Sequence, residues 1–126
     1  MVKDSKKFFT ENVQDYMNGF FEADQPEALI LVSQEMLLSF PNDPIYHANL
    51  GTGYIMQGKT AEALAEYEAA YSLNKKDVII VSNLAHTYAE MGQKEKAIDY
   101  YKKILKFGNA GEKRYAEEQI RELKEE

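Results

Sequence analysis

The chain has 126 residues, 44% of them hydrophobic, with 15 basic and 21 acidic residues and a net charge of -6. That length supports one compact domain with a real core, and an acidic balance without a basic block argues against nucleic acid or an anionic membrane as partner. The absence of cysteine excludes disulfides, thiolate catalysis and Cys-based zinc sites.

The N-terminal stretch MVKDSKKFFTENVQD has no apolar run of secretory type behind its lysines. No segment reaches the roughly 18 apolar residues of a membrane span, so a cytoplasmic protein without membrane contact is expected.

In chain order, the first predicted element is a helix over residues 5–22, with Phe9, Val13, Tyr16, Met17 and Phe20 on an inward face. Asp24-Gln25-Pro26-Glu27-Ala28-Leu29 reads as the start of a second helix. Asp43-Pro44 opens a third, with Asp as N-cap and Pro at the first helical position. Within it, Leu50, Gly51 and Tyr54 lie at i, i+1 and i+4 on one face. Gly58 follows where a residue of positive φ ends the helix. Thr60 is expected to cap the next helix, whose Ala63, Tyr67 and Ala70 share a face at i, i+4 and i+7.

The same succession then returns. A shift of 34 residues brings Ile45, Asn49, Leu50, Tyr54, Gly58, Ala63 and Tyr67 onto Ile79, Asn83, Leu84, Tyr88, Gly92, Ala97 and Tyr101, all identical, and Gly51 onto Ala85. After Gly108-Asn109-Ala110-Gly111, a charged helix over residues 112–124 carries Tyr115, Ala116, Ile120 and Leu123 as a narrow apolar stripe.

The set Asn49, Leu50, Gly51, Tyr54, Gly58, Ala63, Tyr67 and Ala70 closely resembles the tetratricopeptide repeat, and the copy from Asn83 to Tyr101 resembles it nearly as well. His47 and Val81 stand where the family usually has Trp, Lys75 where it has a late Pro, and Ile104 where it has Ala. A diverged copy precedes them, with Ala28 at the start of its second helix and Pro41 as the repeat-ending proline. Those two are one residue further apart than is usual, so an extra residue is expected in this first hairpin. The resemblance implies an all-α fold, a right-handed α-α superhelix of about three helical hairpins plus a C-terminal capping helix. A single domain over residues 1–126 is expected, with repeats at about 5–42, 44–77 and 78–111 and the cap at 112–124.

A competing motif overlaps the second hairpin. Gly53-Tyr-Ile-Met-Gln-Gly-Lys-Thr60 fits the spacing G-x-x-x-x-G-K-[ST] of a phosphate-binding loop. Such a loop needs a strand before it, whereas Asp43-Pro44 opens a helix there. In the repeat copy Gly53, Lys59 and Thr60 become Thr87, Gln93 and Lys94, while the hairpin residues persist. No Asp follows Val78-Ile79-Ile80-Val81 to hold magnesium. The motif is therefore read as the turn of a hairpin. Gly53 is expected to lie within a helix with little to do, so that Gly53→Ala leaves stability unchanged or raises it by up to about 1 kcal/mol.

No catalytic constellation is present. His47 and His86 are the only histidines, without a third ligand at metal spacing; His47 takes the large-residue slot between hairpins and His86 a polar concave position. Glu62, Glu66, Glu68 and Glu90 read as solvated helix charges, and no nucleophile–base–orienter set accompanies them. No enzyme activity, cofactor or metal is expected.

The resemblance also implies a peptide-binding concave face lined by the first helices. The family's ligand-facing positions fall on Gln14 and Asn18, on Ile45, Asn49, Thr52 and Met56, and on Ile79, Ser82, Asn83 and His86. Asn49 and Asn83 lead, because an amide both donates to and accepts from an extended backbone. Where some members clamp a C-terminal carboxylate with lysines and an arginine, this chain has Gln14, Ile79 and Asn83. The implied function is a peptide-binding adaptor for a neutral, partly apolar or basic segment. The alternative is a structural or self-associating solenoid segment of a larger protein or a homo-oligomer.

Overall fold

A computed structural model describes the backbone of residues 2–126 and the side chains of residues 12–126, so the inward face expected of Phe9 lies outside the described side chains. The described residues form seven α-helices and no strand: α1 (Val2–Glu22), α2 (Pro26–Ser39), α3 (Pro44–Met56), α4 (Thr60–Leu73), α5 (Val78–Glu90), α6 (Lys94–Phe107) and α7 (Ala110–Glu125). Each helix packs on the next one in the chain, as short connections between antiparallel helices require.

Local chemistry sets the helix starts. Asp43 accepts from the Ile45 N–H at 3.0 Å, and Asp77 from the N–H groups of Ile79 and Ile80 at 2.9 and 3.3 Å. Helix α7 begins two residues earlier than expected because Asn109 and Glu112 form a reciprocal capping box. Thr60 is not a cap. Lys59 occupies the N-cap of α4 without a side-chain hydrogen bond, and Thr60 is already helical. The reason lies in the preceding turn. Gly58 has φ +76°, and the N–H groups of Gly58 and Lys59 return to Ile55 and Tyr54 at 2.9 Å each. That closure leaves a single residue between the turn and the next helix.

The 34-residue period extends unbroken into the first hairpin, so no extra residue is inserted there. Asp24, Gly58 and Gly92, spaced by 34, all have positive φ, at 54°, 76° and 78°. The counterpart of Ala63 is Leu29 rather than Ala28: Leu29, Ser33 and Met36 are buried just as Ala63, Tyr67 and Ala70 are. Large and small residues have changed places between the helices. A Cβ on Gly51 would stand 2.8 Å from the Tyr67 ring, whereas at the equivalent positions of the first hairpin the large Met17 accompanies the small Ser33, both buried. Total volume is kept while the sequence likeness is lost.

Tyr16 does not face inward; it is 43% exposed. Its counterpart Leu84 packs against Ala63 and Tyr67 of the preceding α4, but no described helix precedes α1. The core is a chain of clusters: Val13, Met17, Leu29, Met36 and Tyr46 at one end, Ala63, Tyr67, Leu84, Tyr88 and Ala97 in the middle, and Val81, Ala85, Tyr101, Ile104, Ala116 and Ile120 at the other. Helix α7 covers the last cluster with Ala116 and Ile120 and turns its charged face outward. Gly53 is buried within α3, its neighbours helical, so the Gly53–Thr60 stretch offers no loop of free N–H groups to phosphate.

Candidate functional site

The N-terminal ends of α3 and α5 lie beside the middle of α1 and enclose a cleft of about 390 Å³. Helix α1 contributes Gln14 and Asn18, α3 contributes Ile45, Ala48 and Asn49, and the start of α5 contributes Asp77, Ile79 and Ile80. The cleft therefore belongs to the first helices of three successive hairpins. Ile45 is 47% and Ile79 70% exposed, an unusual position for branched apolar side chains on two adjacent helices, and one that leaves them available to a ligand.

The polar groups form a chain. The Asn49 amide donates to Gln14 Oε1 at 3.0 Å and to Met17 Sδ at 2.9 Å, and Gln14 Nε2 donates to Asn18 Oδ1 at 2.9 Å. The Asn49 NH₂ group is thus occupied within the protein, and its carbonyl oxygen is the group left for a ligand. Among the described residues of the lining, Asp77 carries the one formal charge. Its Oδ1 is held by two backbone N–H groups of α5, which fixes a carboxylate at the cleft edge.

Five of the ten positions carried over from the family meet in this cleft: Gln14, Asn18, Ile45, Asn49 and Ile79. The others lie elsewhere. Thr52 donates to the Ala48 carbonyl at 3.1 Å and shares a 2.9 Å hydrogen bond with the Tyr67 hydroxyl, so it points into its own hairpin. Met56 packs on the cluster containing Met17 and Leu29. Ser82 and Asn83 are half-buried on α5 outside the cleft lining, and the Asn83 side-chain amide has no hydrogen bond to a described residue. His86 is exposed and stands 3.1 Å from Glu90. Sequence reasoning missed Ala48, Asp77 and Ile80. Asp77 was within reach, because the period superposes it on the recognised cap Asp43.

Outside the cleft, His47 bridges elements more than it fills a slot. Its Nε2 donates to the Pro41 carbonyl at 3.0 Å, and Nδ1 lies 3.5 Å from Glu66. Glu68 is not merely a solvated charge. It accepts from the Tyr88 hydroxyl at 2.6 Å, with the Tyr100 hydroxyl at 3.4 Å. The Tyr88 and Tyr100 rings stack at 5.5 Å. Burial, followed by the Glu68 charge, pushes the Tyr100 hydroxyl up to about 12, and burial with the Glu68 hydrogen bond raises Tyr88 as well. Burial likewise raises Tyr67. These phenols are neutral packing groups, not acids or bases near neutral pH. Among the described residues there is no cluster of three His, Asp or Glu with metal-binding geometry, and no helix long and apolar enough to cross a membrane.

A row of stacked helical hairpins with its polar and apolar cleft on the first helices defines a helical-repeat solenoid. The tetratricopeptide repeat profile matches residues 54–117, and the chain belongs to the tetratricopeptide repeat family. It is 41% identical over 61 residues to human tetratricopeptide repeat protein 21B, covering 48% of this chain and 4% of that protein. Over 106 residues it is 24% identical to the anaphase-promoting complex subunit CDC16 of Saccharomyces cerevisiae, covering 84% of this chain and 13% of that one. The chain thus spans a small fraction of the curated relatives it matches. Among solved structures, the first tetratricopeptide domain of Spaghetti (RPAP3), bound to the HSP90 peptide SRMEEVD, superposes with a TM-score of 0.78 at 18% identity, covering 88% of this chain and 89% of that one. The fold is the all-α tetratricopeptide superhelix.

Proposed function

We propose that this chain is a non-enzymatic interaction module, one domain acting in the cytoplasm, that holds an extended protein segment in the cleft between α1, α3 and α5. The observation that carries the reading is the cleft lining: exposed Ile45 and Ile79 beside the Gln14–Asn18–Asn49 amides, with Asp77 as the single charge among the described residues. Apolar anchors supply affinity and the amides supply backbone hydrogen bonds.

The same lining argues for the chemistry of the segment. An acidic peptide end such as that of SRMEEVD would meet Asp77 and, among the described residues, no lysine or arginine of the lining. A neutral or basic segment with one or two apolar side chains suits it better. Asn83, Ser82 and His86 extend the contact surface along α5, with Thr52 and Met56 supporting it from beneath.

The test is peptide selection from a displayed random library, followed by fluorescence anisotropy on the selected sequences. They should be enriched in aliphatic and basic residues and depleted in acidic C-termini. Ile79→Asp changes only an exposed side chain, so it should weaken binding at least about tenfold, or 1.4 kcal/mol, with an unchanged circular dichroism spectrum. Full affinity in Ile79→Asp, or selection of acidic termini, would refute the reading.

A further inference from the structure

Charge is segregated along this solenoid. No lysine or arginine occurs between Phe8 and Gly58, and Lys59 is the only one before Lys75, whereas α6 and α7 together are rich in both. The acidic half exposes an apolar ridge. On α2, Leu31 is 63% and Leu38 80% exposed, seven residues apart and on the side opposite the buried Leu29, Ser33 and Met36. They stand one above the other on two helical turns, about 10 Å apart, flanked by exposed Glu27 and Glu35. The basic half carries a groove of about 450 Å³ between α6 and α7. Leu105 and Ile120 form its floor, and Lys102, Arg121 and Lys124 share its rim with Glu117 and Glu125.

We propose that the α2 ridge of one molecule docks into the α6–α7 groove of a second copy, giving head-to-tail association. Spaced leucines on a helix are the usual anchors for a hydrophobic groove. Glu27 and Glu35 bring negative charge to a rim on which cations outnumber carboxylates by three to two. The two surfaces are different and lie in different hairpins, so the contact is heterologous. Each molecule offers both surfaces, so the contact builds rings where the rotation closes and open chains where it does not. A two-fold pairing of α2 ridges would instead set Glu27 and Glu35 against their own copies.

Sedimentation velocity over a concentration series tests this. The mass should rise above 14.5 kDa with concentration and fall back as salt is added, as a contact between opposite charges does. Two charge-reversed proteins give the decisive arm. Glu27→Lys with Glu35→Lys makes the ridge basic; among the described residues the only bond lost is a long 3.4 Å one from Gln57 to Glu27. Lys102→Glu with Arg121→Glu and Lys124→Glu makes the groove acidic, and all five positions are exposed. Each protein alone should stay monomeric, and their mixture should associate into alternating oligomers, because the ridge and the groove of each are both complementary to the other. A wild type that remains at 14.5 kDa, or reversed proteins that self-associate as before, or a mixture that gives no complex, overturns the proposal. Circular dichroism on each variant separates loss of contact from loss of fold.

Discussion

Gly53→Ala asks whether helix propensity or interhelical packing governs the middle of α3. Propensity alone favours alanine by about 1 kcal/mol. The structure opposes it: a Cβ at Gly53 would lie 2.6 Å from Ile30 Cγ1, 3.4 Å from Cδ1 and 3.5 Å from the Ile30 backbone nitrogen. Carbon atoms in contact need about 3.5–4.0 Å, so nearly 1 Å must be found. Cγ1 sits directly on a β-branched carbon whose χ1 is stiff in a helix, so relief requires an off-rotamer Ile30 or a shift of α2. Overpacking of this kind costs about 1–3 kcal/mol. The net expectation is a loss of about 1–2 kcal/mol once the propensity gain of about 1 is subtracted from the middle to upper part of that range. Urea denaturation should show a lower midpoint at constant m. A double-mutant cycle isolates the cause, because Ile30→Ala removes both crowding atoms, and in that background Gly53→Ala should be neutral or stabilising. If Gly53→Ala stabilises the wild type, or costs the same in both backgrounds, the packing argument fails.

The remaining expectations concern caps, turns and pH. Asp77→Ala removes two capping bonds and should cost about 1 kcal/mol, while Thr60→Ala should cost under about 0.5, since Thr60 caps nothing; chemical denaturation of the pair checks both. Asp24 holds a left-handed φ of 54° where the later hairpins use glycine, so Asp24→Gly should raise stability by up to about 1 kcal/mol and Gly92→Ala lower it by about 1–2, read as opposite shifts in thermal midpoint. Tyr88 and Tyr100 keep their protons in the native state when unfolded tyrosines, near 10, have lost theirs. The native state then binds more protons, so stability should be intact below pH 10 and decline from there toward about 12. Unfolding curves across that range, with tyrosinate absorbance followed in parallel, test it, and a flat profile would contradict the burial argument.

Gly53 and the buried tyrosines divide the protein between what its sequence states and what its packing decides. Apolar spacing, Asp-Pro starts and the 34-residue return of Leu50, Tyr54, Gly58, Ala63 and Tyr67 specify helical hairpins, because each depends on neighbours within one or two turns. The family resemblance that those residues carry, rather than spacing itself, implies the five cleft residues. Other features depend on contacts between helices. The first hairpin keeps the period but has Met17 and Ser33 in place of the Gly51–Tyr67 pair, so likeness by residue type shifts its register by one. Thr52 and Met56 share a helix with Ile45 and Asn49 but lie further along it, where α3 turns toward Tyr67 and the Met17 cluster. Asp77 enters the cleft only because α5 starts beside α1 and α3. Gly53 looks idle in a helix read alone, and becomes necessary once Ile30 of another helix lies against its backbone. Helix faces are a local property of a sequence; which faces meet, and how closely, is fixed only by stacking the helices.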